Sequence, residues 1–351
     1  MMDYIKQYSL NKEEKHKILT SILSELTLYH YQNCKAYHDI LNTFSFDVNN
    51  IKSYYYIPFL PVRLFKKYDL LSIDKKDIFK TMMSSGTTGQ EVSKIYLNKE
   101  TAISQQKALV KIVSSYIEQK RLPMLIIDSP AVIKNRNLFS ARGAGITGFS
   151  IFGNDITYAL DENMDINIDR ILLFLEKHKN EKILIFGFTY IIWKHFYKEI
   201  INNLDLSNGI LFHGGGWKKL SNEAVSPEEF KLRLYDSCKL TEIHDYYGMV
   251  EQTGSIYMEC EAEHLHAPIY SDIIIRRYQD FSVADIGEKG IIEVVSILPE
   301  SYPGHALLTE DEGILLGEDN CSCGRLGKYF KVTGRIQNAE IRGCSDTYES
   351  K

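Results

Sequence analysis

The chain has 351 residues, 44% apolar and 25% charged, with a formal net charge of −5. Scaling gives a folded surface of roughly 14,500 Å² against about 59,000 Å² unfolded, so a full core forms without cross-links. Wholesale disorder is excluded by the composition, and no basic excess exists to neutralise nucleic-acid phosphates. Six cysteines are too sparse for a disulfide scaffold. The start, Met1 to Lys17, lacks an apolar signal core. The longest apolar run, Ile183 to Trp193, is too short to span a bilayer and reads as a buried strand entering a helix. A cytoplasmic protein with reduced thiols and no membrane span is expected.

In chain order, Asn11 with Glu14 three residues later predicts a capped helix, continued by Ile18, Ile22, Leu23 and Leu26. The charged run Lys12 to Lys17 is expected on its solvated face. Pro58 and Pro61 predict an extended stretch from Ile57 to Leu64. Ile78 to Met83 predicts a strand, Ser84 to Gly89 a loop, the residues around Ile95 a second strand, and Thr101 to Gln119 a long helix. Strands at Met124–Ile127, Ile183–Phe188 and Gly209–Phe212 then alternate with helices at Ile168–His178 and Tyr190–Ile201. Ser226, Pro227 and Glu229 mark a helix start with a reciprocal carboxylate cap. Leu240–Tyr247 predicts a strand, and Ile273–Ile275 and Ile291–Val295 turn the pattern to β. The fold class is α/β, helix-covered sheets with a β-rich C-terminal part. Cys34 and Cys238 are expected to pack inside helices, and His178, His195 and His305 show no partner.

Two constellations carry chemistry. Ser84-Ser85-Gly86-Thr87-Thr88-Gly89 combines two glycines, four hydroxyls and consecutive N–H groups that can cradle a polyphosphate, and Lys94 downstream adds a point charge. No Gly-Lys-Ser/Thr closes it, so it is not a Walker A loop; an ordinary polar hairpin has the same composition. Cys260 and His266 are spaced C-x5-H, and Cys321 and Cys323 form C-x-C. Three thiolates and an imidazole satisfy tetrahedral zinc with no open position, hence a structural site. His264 is a competing ligand, and cysteines that merely pack are the alternative.

The order Ser-Ser-Gly-Thr-Thr-Gly resembles the phosphate loop of the adenylate-forming superfamily of acyl ligases. Further elements follow in that superfamily's order: His213-Gly214-Gly215-Gly216, then Tyr246-Tyr247-Gly248-Met249-Val250-Glu251, then Thr309-Glu310-Asp311, then Gly334-Arg335. Val250 stands where the superfamily has threonine, and Glu310 where it has glycine. Gln252 and Thr253 are the neighbours that could replace the lost hydroxyl. The resemblance implies ATP and Mg²⁺ as cofactors. Ser84 to Gly89 would hold phosphates, and Tyr247, with Gly248 behind it, would stack on adenine. Gly214, Gly215 and Gly216 would line the adenine edge, and Asp311 would accept from the ribose hydroxyls. Glu251 with Thr88 would hold Mg²⁺, and Lys94 and Arg335 would be catalytic. Cys260, His266, Cys321 and Cys323 are similar to a zinc site in the phenylacetate–coenzyme A ligase-like branch.

Sixteen residues follow Arg335, so the superfamily's C-terminal lid domain is expected to be missing. Pro61-Val62-Arg63-Leu64-Phe65-Lys66 and Ile341-Arg342-Gly343-Cys344 resemble the similarly short acyl-protein synthetases of the bacterial luminescence fatty acid reductase system, the LuxE type. That resemblance implies a fatty or other carboxylic acid substrate, transfer of the acyl group from its adenylate to Cys344, and an acyl reductase protein as partner. Arg342 beside Cys344 would favour the thiolate. Three parts are expected: a helical segment 1–60, an adenylation domain 61–335 and a tail 336–351. A ligase using coenzyme A, and a nucleotide-binding subunit without catalysis, remain open at this point.

Overall fold

A computed structural model of the protein describes residues 4–84, 92–117, 121–134, 141–200 and 204–336. The first elements are α1 (Lys12–Asn33), α2 (Lys35–Thr43), β1 (Leu60–Pro61), α3 (Leu64–Lys67), β2 (Lys80–Met83), β3 (Lys94–Leu97) and α4 (Lys99–Val113). The middle of the chain holds β4 (Leu122–Ile127), α5 (Ala131–Lys134), α6 (Ala141–Phe149), β5 (Gly153–Tyr158), α7 (Ile168–Lys177), β6 (Ile183–Phe188), α8 (Thr189–Ile191), β7 (Gly209–Gly214), α9 (Pro227–Cys238) and β8 (Glu242–Tyr247). The last part is all strand: β9 (Tyr257–Glu259), β10 (Leu265–His266), β11 (Ser271–Arg276), β12 (Lys289–Ser296), β13 (Ala306–Glu318) and β14 (Lys328–Arg335).

The described residues divide into two compact units. The first takes 4–84, 92–115 and 248–336. Its strands run in the order β11-β12-β13-β14-β10-β9, neighbour to neighbour antiparallel, with β1 added in parallel to β13; β2 and β3 form a separate pair. Helix α1 starts where expected: Asn11 accepts from Glu14 N and Glu14 reaches back to Asn11 N, a complete capping box. Its inner face, Leu19, Leu23 and Leu26, packs with Tyr54, Ile57, Ile274, Val295 and Ala306.

The expected solvated face of α1 is interrupted. Lys15 is buried, its Nζ 3.5 Å from Asp272 Oδ1 and donating to the Ala267 carbonyl at 3.0 Å. Lys328 Nζ lies 3.1 Å from the other Asp272 oxygen, so one buried carboxylate balances two ammonium groups. His305 is also partnered: Nε2 meets Thr27 Oγ1 at 3.0 Å, and its ring stacks on His30 at 4.8 Å.

The second unit takes the described residues from 116 to 247. Its sheet is parallel, in the order β5-β4-β6-β7-β8. β4, β6 and β7 are buried along their whole length, which explains their near-continuous apolar sequences. The chain runs outward from β4 to β5, then returns to the other side of β4 with β6, so the strand order reverses there. Two expectations change. The stretch after β6 is one α-helical turn followed by a π-helix, Ile192–Tyr197, with Ile192, Trp193 and Phe196 buried. His178 is bound on both nitrogens, by Glu181 and Asp155, each at 2.8 Å. Ser226 caps α9 as expected, but the Glu229 carboxylate pairs with Arg233 one turn on.

Candidate functional site

In the second unit, the expected adenine-binding segment lies at the carboxyl ends of adjacent parallel strands. Gly214 ends β7 and is in register with Tyr246, next to Tyr247 at the end of β8. Such edges are where open α/β sheets bind ligands. The glycine at 214 is forced by close approach: a Cβ there would lie 2.6 Å from Tyr246 Cε1 and 2.8 Å from the Tyr246 carbonyl oxygen. Gly215 has φ +80°, which favours glycine. Gly216 has open space around it. His213 is buried and meets Thr189 Oγ1 at 3.0 Å through Nδ1. Burial, then the positive Lys231, then His244, push its imidazole down to about 3. Tyr246 packs on Phe149 of α6 at 5.2 Å, and a Cβ at Gly145 of the same helix would meet Phe188 at 2.9 Å.

In the first unit, Ser84 and Ser93 pair through Ser84 N to Ser93 O, 3.0 Å, and Ser93 N to Ser84 Oγ, 2.8 Å. They join the chain on either side of residues 85–91, next to β2 and β3, and Lys94 begins β3 opposite Met83. Ser85, Gly86, Thr87, Thr88 and Gly89 lie outside the described residues, as does Cys344.

Glu251 is fully buried, and neither carboxylate oxygen has a hydrogen-bond partner among the described residues. A buried carboxylate left in that state is costly, and oxygen donors of this kind suit a hard cation such as Mg²⁺. Its backbone is held firmly. The Glu251 carbonyl accepts from Tyr302 OH at 2.8 Å, and Gln105 Nε2 donates to that hydroxyl at 3.3 Å. Its two neighbours spend their donors on nearby backbone. Gln252 Nε2 donates to the Gly304 and Val294 carbonyls at 2.8 and 3.2 Å, and Thr253 Oγ1 donates to the Val250 carbonyl at 2.9 Å.

Asp311 and Arg335 face each other across β13 and β14. Arg335 Nε lies 3.3 Å from Asp311 Oδ1, and its Nη2 donates to Glu310 Oε2 at 2.7 Å. Glu310 is nearly buried and accepts Arg63 Nε on its other oxygen. Sequence reasoning noted Arg63 inside the Pro-Val-Arg run and Glu310 as a departure, but had no reason to join them. The parallel pairing of Leu60 and Pro61 with Leu307 and Leu308 is what brings them together.

The Cys/His set also converges. One ligand atom each from Cys260, His266, Cys321 and Cys323 lies within 4.8 Å of the others. Cys260 Sγ is 3.9 Å from Cys321 Sγ, and Cys323 Sγ is 3.4 Å from His266 Nε2. His264 Nδ1 lies 3.3 Å from Cys321 Sγ, so the competing imidazole borders the same cluster. Burial pushes the Cys260 thiol up to about 12 and the His266 imidazole down to about 3. A divalent ion would compensate the thiolates. The β9–β10 hairpin and the β13–β14 connection supply the two halves.

No helix among the described residues is long and apolar enough to cross a membrane. The fold is that of adenylate-forming ligases: an open conformation of 2-hydroxyisobutyryl-CoA ligase, in complex with 2-HIB-AMP and CoA, superimposes with a TM-score of 0.71 at 14% identity, covering 94% of this chain and 71% of that one. A long-chain-fatty-acid-CoA ligase from Archaeoglobus fulgidus gives 0.51 at 13% identity, over 75% of this chain and 52% of the other. Two relatives named long-chain-fatty-acid–luciferin-component ligase are similar over most of their length. The one from Aliivibrio fischeri is 25% identical over 95% of this chain and 88% of its own, and the one from Vibrio harveyi 22% identical over 97% and 89%. The sequence model of one family, described as acyl-protein synthetase, LuxE, matches residues 4–351, so this chain belongs to the LuxE acyl-protein synthetase family and is a ligase.

Proposed function

We propose that this protein activates a fatty acid with ATP and carries the acyl group on Cys344 for delivery to an acyl reductase. The observation that carries the reading is the pairing of Gly214 with Tyr246, which sets the glycine segment and Tyr247 side by side at the carboxyl edge of a parallel sheet. Family membership supports the ligase chemistry, and the names of the relatives support a long-chain acid.

Tyr247 stacks on adenine and Gly214 to Gly216 let the base approach the backbone. Asp311 accepts from the ribose hydroxyls, and Arg335 reaches ribose or phosphate. Ser84 to Gly89 and Lys94 hold the phosphates. Glu251 and Thr88 would hold magnesium, which when bound would supply charge neutralisation to the phosphates. In the first step, the substrate carboxylate oxygen bonds to the α-phosphorus while its bond to the bridging oxygen breaks, and pyrophosphate leaves with the electron pair. N–H donors and Lys94 stabilise that departing charge. In the second, the Cys344 thiolate bonds to the acyl carbon, the mixed-anhydride C–O bond breaks, and AMP leaves. Cys260, His266, Cys321 and Cys323 would hold zinc, which when bound would fix the strand connections that follow Glu251 and Asp311 in the chain.

ATP–pyrophosphate exchange with a series of fatty acids tests the activation step. Exchange that requires a long-chain acid is the expected result. Exchange with no added acid dependence, or none with any acid, would contradict it.

A further inference from the structure

Resting on the reading that Asp311 binds the ribose, we propose that Glu310, with Arg63 behind it, is a positioning residue that keeps Arg335 from closing onto Asp311. The superfamily motif has no side chain at this step. Here a carboxylate 7% exposed sits between two guanidinium groups, Arg63 on Oε1 and Arg335 on Oε2. Arg335 is therefore shared between successive residues of β13: Nη2 is drawn to Glu310 at 2.7 Å, and Nε lies 3.3 Å from Asp311 Oδ1.

The alternative geometry is chemically strong. A guanidinium beside a lone carboxylate closes as a two-toothed fork and uses both oxygens. An Asp311 engaged in that way has lost the acceptors that ribose hydroxyls need. Glu310 diverts one arm of the fork. Arg63 makes the diversion neutral: two guanidinium groups and two carboxylates sum to zero, so Glu310 adds no net negative charge where a polyphosphate must bind. The backbone reinforces the arrangement. Val62 N donates to the Leu308 carbonyl at 2.9 Å and Ile336 N to the Glu310 carbonyl at 3.0 Å, tying the residue after β1 and the residue after β14 to two nearby residues of β13.

The test is discrimination between ATP and 2′-deoxy-ATP, read as the ratio of kcat/KM in acid-dependent pyrophosphate exchange. A purely structural strut would not move that ratio. The wild-type chain is expected to favour ATP by about tenfold or more, the worth of one hydrogen bond to a charged acceptor. Glu310→Ala is expected to bring the ratio within about threefold, with KM for ATP rising. Glu310→Gln, which keeps one acceptor, and Arg63→Gln are expected to fall between, and they carry the test if Glu310→Ala does not fold. An unchanged ratio in the folded variants would overturn the inference alone. No exchange by the wild-type chain would overturn the underlying reading and this inference with it.

Discussion

Cys260 and Cys321 bring their Sγ atoms to 3.9 Å across 61 residues of sequence, with Cys323 and His266 completing a set of four donors. Three thiols and an imidazole at this spacing suit a tetrahedral cation. Protein purified without chelator is expected to carry about one equivalent of zinc by elemental mass spectrometry. Chelation or Cys321→Ser is expected to lower Tm by roughly 5–10 °C, a loss of a few kcal/mol. A metal-free protein whose Tm ignores chelator would show that the cysteines only pack.

Asp272 is the hub of a second buried group. Burial alone would raise its carboxyl, but Lys15 and Lys328 reverse that and hold it below the usual range. A depressed folded-state pKa stabilises above the unfolded value, near 4, and that stability is lost as pH falls through the folded value. Asp272→Asn strands two buried ammonium groups. It is expected to cost about 3–5 kcal/mol in urea unfolding at neutral pH, with the difference from wild type shrinking below about pH 4. A cost under about 1 kcal/mol at neutral pH would mean the lysines find other partners.

The stacked pair His30 and His305 also loses stability toward acid, but from a higher pH. Burial pushes His30 down to about 3 and His305 well below its ordinary value, His305 further through its neighbour His30. A histidine neutral when folded is protonated when unfolded below about pH 6.5, so stability is full above that pH and falls below it, by about 1.4 kcal/mol per pH unit for each group. Unfolding free energy measured from pH 7 to 5 is expected to drop with that slope, and His305→Gln to flatten it. A pH-independent stability in this window would contradict the buried, neutral pair.

Two glycines three chain positions from His213 or fewer separate steric need from general looseness. Gly214→Ala puts a methyl 2.6 Å from the Tyr246 ring, an overpacking worth about 1–3 kcal/mol, and is expected to weaken nucleotide binding. Gly216→Ala meets nothing within 4 Å and is expected to keep the wild-type Tm. Equal effects on Tm and nucleotide affinity would remove the special place of Gly214.

Much of this was legible in the sequence. Parallel strands buried on both faces leave unbroken apolar runs, so β4, β6 and β7 were visible as Met124–Ile127, Ile183–Phe188 and Gly209–Phe212. The α1 cap was visible because it is local. β5, β13 and β14 were not, because their half-exposed sequences carry charges and glycines whose pairing partners lie far along the chain. Helix α4 ends at Val113, six residues short of the expected Gln119. Lys15 read as solvated because nothing nearby in sequence announces Asp272, 257 residues on. The same limit hid the Arg63–Glu310 pair.

The most direct measurement is intact mass after incubation with ATP, Mg²⁺ and fatty acids of graded length, for wild type and Cys344→Ala. The account predicts a hydroxylamine-labile acyl adduct on the wild type and none on the variant, while both release pyrophosphate. Pyrophosphate release with no adduct on either protein would contradict the carrier role of Cys344 and point to a soluble acceptor such as coenzyme A.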